Sequence, residues 1–144
     1  MKIFVKYHNK NLPPLEFVGN KSNWIDLRAS ERVEMKEGEK KLIPLGVSMK
    51  LPYGYEAWLL PRSSTEKKFG IIQANSMGII DNSFSGTNDI WMFPAIARRD
   101  TVIEEGDRIC QFRIMPSMKR DIELIDSEEL DDTDRGGFGS TGVK

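Results

Sequence analysis

The residue types that bind and cleave phosphate groups cluster in three short segments of this sequence. In the first, residues 61–64 read PRSS, so one guanidinium and two hydroxyls stand where a short helix is predicted to begin. The unpaired N–H groups of a helix N-terminus, together with Arg62, Ser63 and Ser64, can hold a phosphate. An ordinary N-cap beside a surface arginine fits the same residues. The segment alone leaves both interpretations open.

The second segment, residues 75–86, reads NSMGIIDNSFSG and places one carboxylate directly after two isoleucines. Turn-forming residues on both sides predict a β-hairpin that brings backbone amides and Asp81 together. Asp81 would then be placed to act as a general base. Alternatively, Asp81 and Asn82 only shape a turn, as such residues commonly do.

The third segment, residues 135–142, reads RGGFGSTG. Its glycines allow successive backbone amides to converge on an anion, Arg135 adds charge, Ser140 and Thr141 add hydroxyl donors, and Phe138 offers a face for stacking. A disordered linker is the alternative. Because the preceding stretch 126–134 is acidic and poor in apolar residues, we expect a folded domain over residues 1–125 and a flexible tail over 126–144.

The composition excludes several other classes of protein. The 144 residues fit one domain, and 21 basic against 22 acidic residues give a net charge of -1, which predicts no binding to nucleic acid or to an anionic membrane. His8 is the only histidine and Cys110 the only cysteine, which excludes a disulfide framework, a Cys/His zinc site and a triad that needs a second histidine. No signal peptide and no run of about 18 apolar residues is present, so we expect a soluble, cytoplasmic protein without a membrane span.

Short strand-like segments, rich in β-branched and aromatic residues, recur between glycines, prolines and asparagines. They cover residues 2–7, 41–47, 56–60, 70–73, 89–93 and 108–115. This spacing predicts an all-β sandwich, jelly roll or barrel, and Pro44 suits a sheet edge or a strand end. The one helix is predicted over 61–70, with Ser63 and Glu66 at capping-box spacing and Gly70 at its end.

Taken in chain order, five segments resemble the five motifs of the trimeric dUTPase family. They read WIDLRA, PRSS, NSMGIID with the following FSG, GDRICQF and RGGFGSTG, and they extend from about Trp24 to Gly142. The short length is most similar to the forms found in Bacillus-type bacteria and their phages. The resemblance implies a distorted jelly roll with one short helix, assembled as a homotrimer in which the tail of one subunit covers a site formed by the other two.

The same resemblance implies a reaction, the hydrolysis of dUTP to dUMP and pyrophosphate with Mg²⁺ as cofactor. Asp81 matches the carboxylate that deprotonates the water attacking the α-phosphorus. Asp26 matches a residue that holds a magnesium-bound water, while the phosphates hold the metal itself. The residues that match the phosphate contacts of the second and fourth motifs are Arg62, Ser63, Ser64 and Gln111.

Base and sugar recognition are also implied by the resemblance. The residues that match the uracil-reading hairpin are Asn75, Gly78, Ile79 and Ile80. Phe84 stands where the family usually has a tyrosine, whose ring packs on the deoxyribose. In the tail, Phe138 matches the aromatic residue that stacks on the base, and the other matching substrate contacts are Arg135, Gly139, Ser140 and Thr141. Arg135 and Phe138 are closer together than in the commoner family pattern.

Two other functions are compatible with parts of this pattern. A dCTP deaminase shares the fold and similar second-motif residues, but its catalytic glutamate lies on the strand after the third motif, where residues 89–93 read DIWMF. A phage-type trimer can also act as a binding protein that engages a repressor or another regulatory partner through its tail. Nothing in the sequence identifies such a partner.

Overall fold

The computed structural model describes residues 1–131 and 133–144, so residue 132 of the predicted tail lies outside the described residues. The described chain forms eleven strands, one five-residue helix and a short 3-10 turn at Val18–Asn20. The strands are β1 (Phe4–Tyr7), β2 (Ile25–Arg28), β3 (Val33–Met35), β4 (Lys40–Pro44), β5 (Val47–Lys50), β6 (Tyr55–Pro61), β7 (Ile71–Gln73), β8 (Gly78–Asp81), β9 (Met92–Ala97), β10 (Thr101–Ile103) and β11 (Arg108–Pro116); the helix is α1 (Thr65–Phe69).

All strand pairs are antiparallel. The largest sheet has four strands in the order β2-β11-β6-β8, a second has three in the order β4-β9-β7, and β1-β5 and β3-β10 form two further pairs. The predicted all-β class with one short helix is confirmed. Across the described ranges, no helix has the length and apolar character needed to cross a bilayer.

The core fills the space between these sheets. Along β6, Ala57 and Leu59 are buried while Trp58 on the opposite face is only partly buried, the alternation expected of a strand with one face on a core. Trp91 and Phe112 meet edge to face with ring centroids 5.2 Å apart, a favoured aromatic geometry. The alternating side chains of the sheets therefore supply the apolar burial that the short helix does not.

Two strand predictions need correction, and two short strands, β3 and β10, were not predicted. The segment 41–47 is two strands, because β4 ends at Pro44 and Gly46 turns the chain with a φ of 70° before β5 begins. The predicted strand 89–93 is instead β9, Met92–Ala97, which continues through Pro94 although it is central in its sheet. Strands β3 and β10 have three residues each, too few for a period-2 pattern. The placement of Pro44 on an edge strand is confirmed, since β4 is the outer strand of its sheet.

The helix is shorter than predicted, and its start is built differently. Ser64 occupies the N-cap position without a side-chain capping bond, so the capping box of Ser63 and Glu66 is wrong. The Thr65 hydroxyl instead accepts a hydrogen bond from the Arg62 N–H at 2.7 Å. Gly70 ends the helix in the left-handed region at φ 64°, as predicted. A helix this short depends on tertiary contacts, and the Thr101 hydroxyl donates to the Phe69 carbonyl at 2.6 Å.

Residues 75–86 do not form the predicted two-stranded hairpin. They contribute one strand, β8, which pairs with β6 so that Asp81 lies opposite Glu56 and Gly78 opposite Leu59. After Asp81 the chain turns, with Phe84 N–H donating to the Asp81 carbonyl at 3.1 Å, and no return strand follows among the described residues up to Met92. The edge of β8 that faces away from β6 therefore has no strand beside it in the described chain.

Candidate active site

A charged cluster lies where β2, β6 and β11 come together, and we call Asp26, Arg62 and Arg108 the phosphate cluster. Asp26 Oδ1 is 3.2 Å from Arg62 Nε, and Asp26 Oδ2 is 3.1 Å from Arg108 Nη1. The side chains are 14%, 21% and 35% exposed, in that order. Two guanidiniums against one carboxylate leave the cluster with one net positive charge in a partly desolvated place, which suits an anionic ligand.

The sheet register explains how distant segments form this cluster. Gln111 on β11 lies between Asp26 on β2 and Leu60 on β6, so all three share one face of the sheet. Arg62 follows Leu60 by two residues and therefore continues that face. The Gln111 amide donates to the Pro61 carbonyl at 3.0 Å and fixes the end of β6 against β11.

A β-bulge aims Arg108 into the cluster. The β2–β11 register shifts between Arg108 and Cys110, and Ile109 and Cys110 are both fully buried although they are consecutive. In a regular strand one of them would point to the opposite face. The extra residue shifts the alternation, so Arg108 pairs with Arg28 and shares the face of Asp26.

The predicted base-reading residues line one cleft of about 520 Å³, within the range of small-molecule sites. The predicted site residues in its wall are Asn75, Gly78, Ile79, Ile80, Asp81 and Phe84. The rest of the wall is largely apolar and includes Leu59, Trp91 and Pro94. A side chain at Gly78 would meet Leu59 Cβ at 3.2 Å and Gln73 Nε2 at 3.3 Å, so glycine lets the β8 backbone line the cleft directly.

The cleft and the phosphate cluster lie at opposite ends of β6. Asp81 is opposite Glu56, near the start of the strand, and Arg62 directly follows its last residue. Six residues of extended chain span about 20 Å. Within one chain, Asp81 and Arg62 are therefore too far apart to contact the same phosphate group.

The described residues hold no group of three or more His, Cys, Asp or Glu side chains that could bind a metal by themselves. Mg²⁺ in nucleotide sites is commonly held by one or two carboxylates together with substrate phosphates, so such a group is not required. Asp26 Oδ2 accepts a hydrogen bond from Arg108 Nη1 and Oδ1 is ion-paired with Arg62 Nε, yet each carboxylate oxygen keeps a further lone pair. Asp26 could therefore accept a hydrogen bond from a water bound to the metal.

The family model for dUTPase matches residues 20–142. The chain belongs to the dUTPase family. Over its full length it is 55% identical to the SPbeta prophage-derived deoxyuridine 5'-triphosphate nucleotidohydrolase YosS of Bacillus subtilis (strain 168), with both chains covered completely.

Solved structures of phage dUTPases share the fold. A point mutant of the Staphylococcus bacteriophage 80alpha dUTPase with dUpNHpp aligns with a TM-score of 0.82 at 23% identity, over 99% of each chain. A point mutant of the dUTPase from S. aureus phage phi11, described with a structural Mg(II) ion, aligns with a TM-score of 0.77 at 21% identity, over 90% of this chain and 99% of that one. The predicted jelly-roll fold is confirmed by these likenesses.

In this dUTPase the tail lies outside both parts of the site. Its predicted contacts, Arg135, Phe138, Gly139, Ser140 and Thr141, are exposed, and none of them lines the cleft. The Ser140 hydroxyl accepts from the Gly137 N–H at 3.1 Å, a contact within the tail. The domain boundary at residue 125 and the roles of these residues stay predictions.

Arg108 is the residue of this dUTPase that sequence reasoning missed. It follows Asp107 in the fourth motif, from which only Gln111 was selected. Counting alternate residues back from Gln111 places Arg108 on the opposite face of β11, and only the bulge reverses that assignment. Its basic side chain within a recognised motif was the available signal.

Proposed function

We propose that this chain hydrolyses dUTP to dUMP and pyrophosphate by Mg²⁺-assisted attack of water on the α-phosphorus, with Asp81 as the base. Its family makes it a hydrolase of nucleotide metabolism, a dUTP diphosphatase. The observation that carries the mechanistic proposal is the cleft, in which Asp81 shares one ligand-sized space with Phe84 and with the residues expected to form the uracil-reading segment.

Base recognition follows from the open edge of β8. An unpaired strand edge presents alternating N–H and C=O groups, and uracil offers an acceptor at O4 beside a donor at N3. Cytosine reverses both positions, which would leave buried polar groups unpaired. Rejection of this kind can reach a factor on the order of 10⁴ to 10⁵. The Asn75 side chain at the cleft wall would add further polar contacts.

Sugar recognition is assigned to Phe84, which lies in the cleft wall and is still partly exposed. A flat ring against C2' of a deoxyribose would leave no space for a ribose 2'-hydroxyl. Packing alone is sufficient for this role, so the phenylalanine can replace the tyrosine that the family usually has.

The phosphate cluster would receive the triphosphate, with the Ser63 and Ser64 hydroxyls near the bridge between the α- and β-phosphates. Gln111 would contact a phosphate oxygen from the same face. Mg²⁺, when bound, neutralises charge that develops on the leaving pyrophosphate. Asp26 would orient a water of that ion, and the phi11 phage dUTPase with its structural Mg(II) ion supports a magnesium requirement.

The chemical step needs one proton acceptor. Asp81 would take a proton from the attacking water as its oxygen bonds to the α-phosphorus. The bond from that phosphorus to the oxygen bridging to the β-phosphorus breaks, and pyrophosphate leaves. Because Asp81 is exposed at the end of β8, it can reach a water on the open side of the cleft.

We place the complete site between copies of the chain, and the family resemblance gives a homotrimer with shared active sites as the assembly. Since the phosphate cluster and Asp81 are about 20 Å apart along β6, the cluster of one copy must meet the cleft of another. The fully exposed Phe138 would then be supplied by a tail and cover the base. A cytoplasmic location and a regulatory partner stay predictions.

The deciding experiment is pyrophosphate release from dUTP, dCTP, dTTP and UTP, each with and without Mg²⁺. We expect release from dUTP with Mg²⁺ and little from the others, because base, sugar and metal are each needed. Ammonia released from dCTP would instead favour a deaminase. The sequence around Trp91 argues against that outcome, since Asp89 accepts a hydrogen bond from the Gly86 N–H at 2.8 Å within a turn and no glutamate is present in 89–93.

A further inference from the structure

Thr65 is a fully buried polar residue directly beside the phosphate cluster. Its hydroxyl accepts from the Arg62 N–H at 2.7 Å and donates to the Ile109 carbonyl at 2.8 Å. The one oxygen therefore joins the loop after β6 to strand β11. Both hydrogen bonds have ordinary lengths, and both join the hydroxyl to a backbone group.

The two backbone groups are those that the sheet itself does not pair. The β6–β11 ladder ends where Pro61 meets Cys110. Ile109 is the additional residue of the bulge, and such a residue is left out of the ladder. The Thr65 hydroxyl links the two chain segments one residue pair beyond the last backbone pair of this ladder. We call this pair of hydrogen bonds the Thr65 rung.

Both arginines of the phosphate cluster depend on this rung. The backbone N–H of Arg62 donates to the Thr65 hydroxyl, and Arg108 directly precedes Ile109, whose carbonyl accepts from the same hydroxyl. Arg62 Nη1 also donates to the Arg108 carbonyl at 3.2 Å, which brings the two backbones into one unit. A change in the rung would move the loop with Ser63 and Ser64 relative to β11.

We propose that Thr65 is a positioning residue for hydrolysis, whose hydroxyl sets the spacing between the Arg62–Ser64 loop and the bulge of β11. It touches neither substrate nor metal. This inference rests on the proposed function, because it assigns the phosphate cluster to the triphosphate.

Thr65→Val tests the hydroxyl with little change in shape, and Thr65→Ser restores it. Thr101→Val is a matched control, since it removes another threonine hydroxyl that bonds the opposite end of the same helix. Each variant is measured as the full chain for kcat and KM with dUTP, for Kd with the imido analogue dUpNHpp, and for thermal melting.

We expect Thr65→Val to lower kcat/KM on the order of 10- to 100-fold, with Thr65→Ser and Thr101→Val within about threefold of the wild type. The loss should lie more in kcat than in the Kd of the analogue, because misplacement matters most in the transition state. A melting loss shared by Thr65→Val and Thr101→Val, with a kinetic loss only in the former, separates positioning from stability.

Unchanged kinetics in Thr65→Val would overturn the inference, as would an equal loss in Thr65→Ser or in Thr101→Val. If Thr65→Val does not fold, Thr65→Cys removes the hydroxyl at similar volume. Failure of both to fold while Thr65→Ser folds would assign the hydroxyl to stability alone and also overturn it. If the wild type releases no pyrophosphate from dUTP, the proposed function itself is refuted. If the wild type and Thr65→Val are equally active, only the role of Thr65 is refuted.

Discussion

The phosphate cluster and the cleft differ in the pairing and the exposure of their polar groups. In the cluster, Asp26 is ion-paired with Arg62 and Arg108, and the side chains are mostly withdrawn from water. In the cleft, Asp81 and Ile79 are exposed on a strand whose outer edge is open. Charged groups are thus arranged before any ligand arrives, which reduces reorganisation during reaction. In the proposed function, recognition of a neutral base is left to backbone groups that a ligand must cover.

The largest effect should come from the cleft. Asp81→Asn removes the proposed base and keeps its size, so kcat for dUTP should fall on the order of 10²- to 10⁴-fold. The affinity for dUpNHpp should stay close to that of the wild type. Asp89→Asn is the matched control, because that carboxylate caps a turn nearby and should leave kcat unchanged. Full turnover in Asp81→Asn would remove the residue from its role.

Deleting residues 135–144 should have the next largest effect. These residues are exposed apart from the half-buried Gly137 and supply proposed contacts to the substrate rather than core, so a folded assembly with most of its turnover lost is expected. Removing only Val143 and Lys144 is the control and should be tolerated. Loss of the far-UV circular dichroism spectrum after the longer deletion would show that the tail is needed for folding.

The cluster should show a smaller effect on stability. Asp26→Asn leaves two adjacent guanidiniums without their carboxylate, and we expect the free energy of unfolding to fall by about 1–3 kcal/mol. Glu34→Gln is the comparison, since the Arg32–Glu34 pair is exposed on both sides and should contribute little. Equal midpoints in urea for wild type and Asp26→Asn would mean that the cluster is not held by these ion pairs.

The smallest effect concerns Cys110, which tests whether the cluster is closed to solvent. Burial, and then the nearby Asp26 carboxylate, raise the pKa of the Cys110 thiol well above its usual range. Because the folded chain keeps its proton while the unfolded chain loses it, stability should decrease as the pH rises above the ordinary thiol pKa. At neutral pH, iodoacetamide should label Cys110 only after denaturation, and rapid labelling of the native protein would contradict this burial.

Sequence reasoning located the cleft residues well and the strands that support them less well. Asn75, Gly78 and Phe84 were selected from turn chemistry and family motifs, which are local in the chain. The extent of β9 was not predicted because Pro94 favours a strand end. Its central position depends on pairing with β4 and β7, which are distant from it in the sequence. The capping box failed for a similar reason, since the partner of Thr65 is Ile109, more than forty residues later.

Arg108 shows the limit most clearly. A bulge changes which face a side chain occupies, and it is specified by pairing with β2, which lies about eighty residues earlier. No local pattern around residues 106–111 reports that pairing. The distance between Asp81 and Arg62 likewise could not be predicted, because it depends on the register between β6 and β8.

The open side of β8 also exposes the protein to a hazard, because a bare strand edge can recruit a strand from any other chain and begin aggregation. Two properties of β8 oppose this. It has only four residues, starting at a glycine, and a negative charge stands at its final position. A longer or wholly apolar strand would offer a ligand the same hydrogen-bonding groups but would also favour misassembly, so the short length of β8 suits an edge that binds a small molecule.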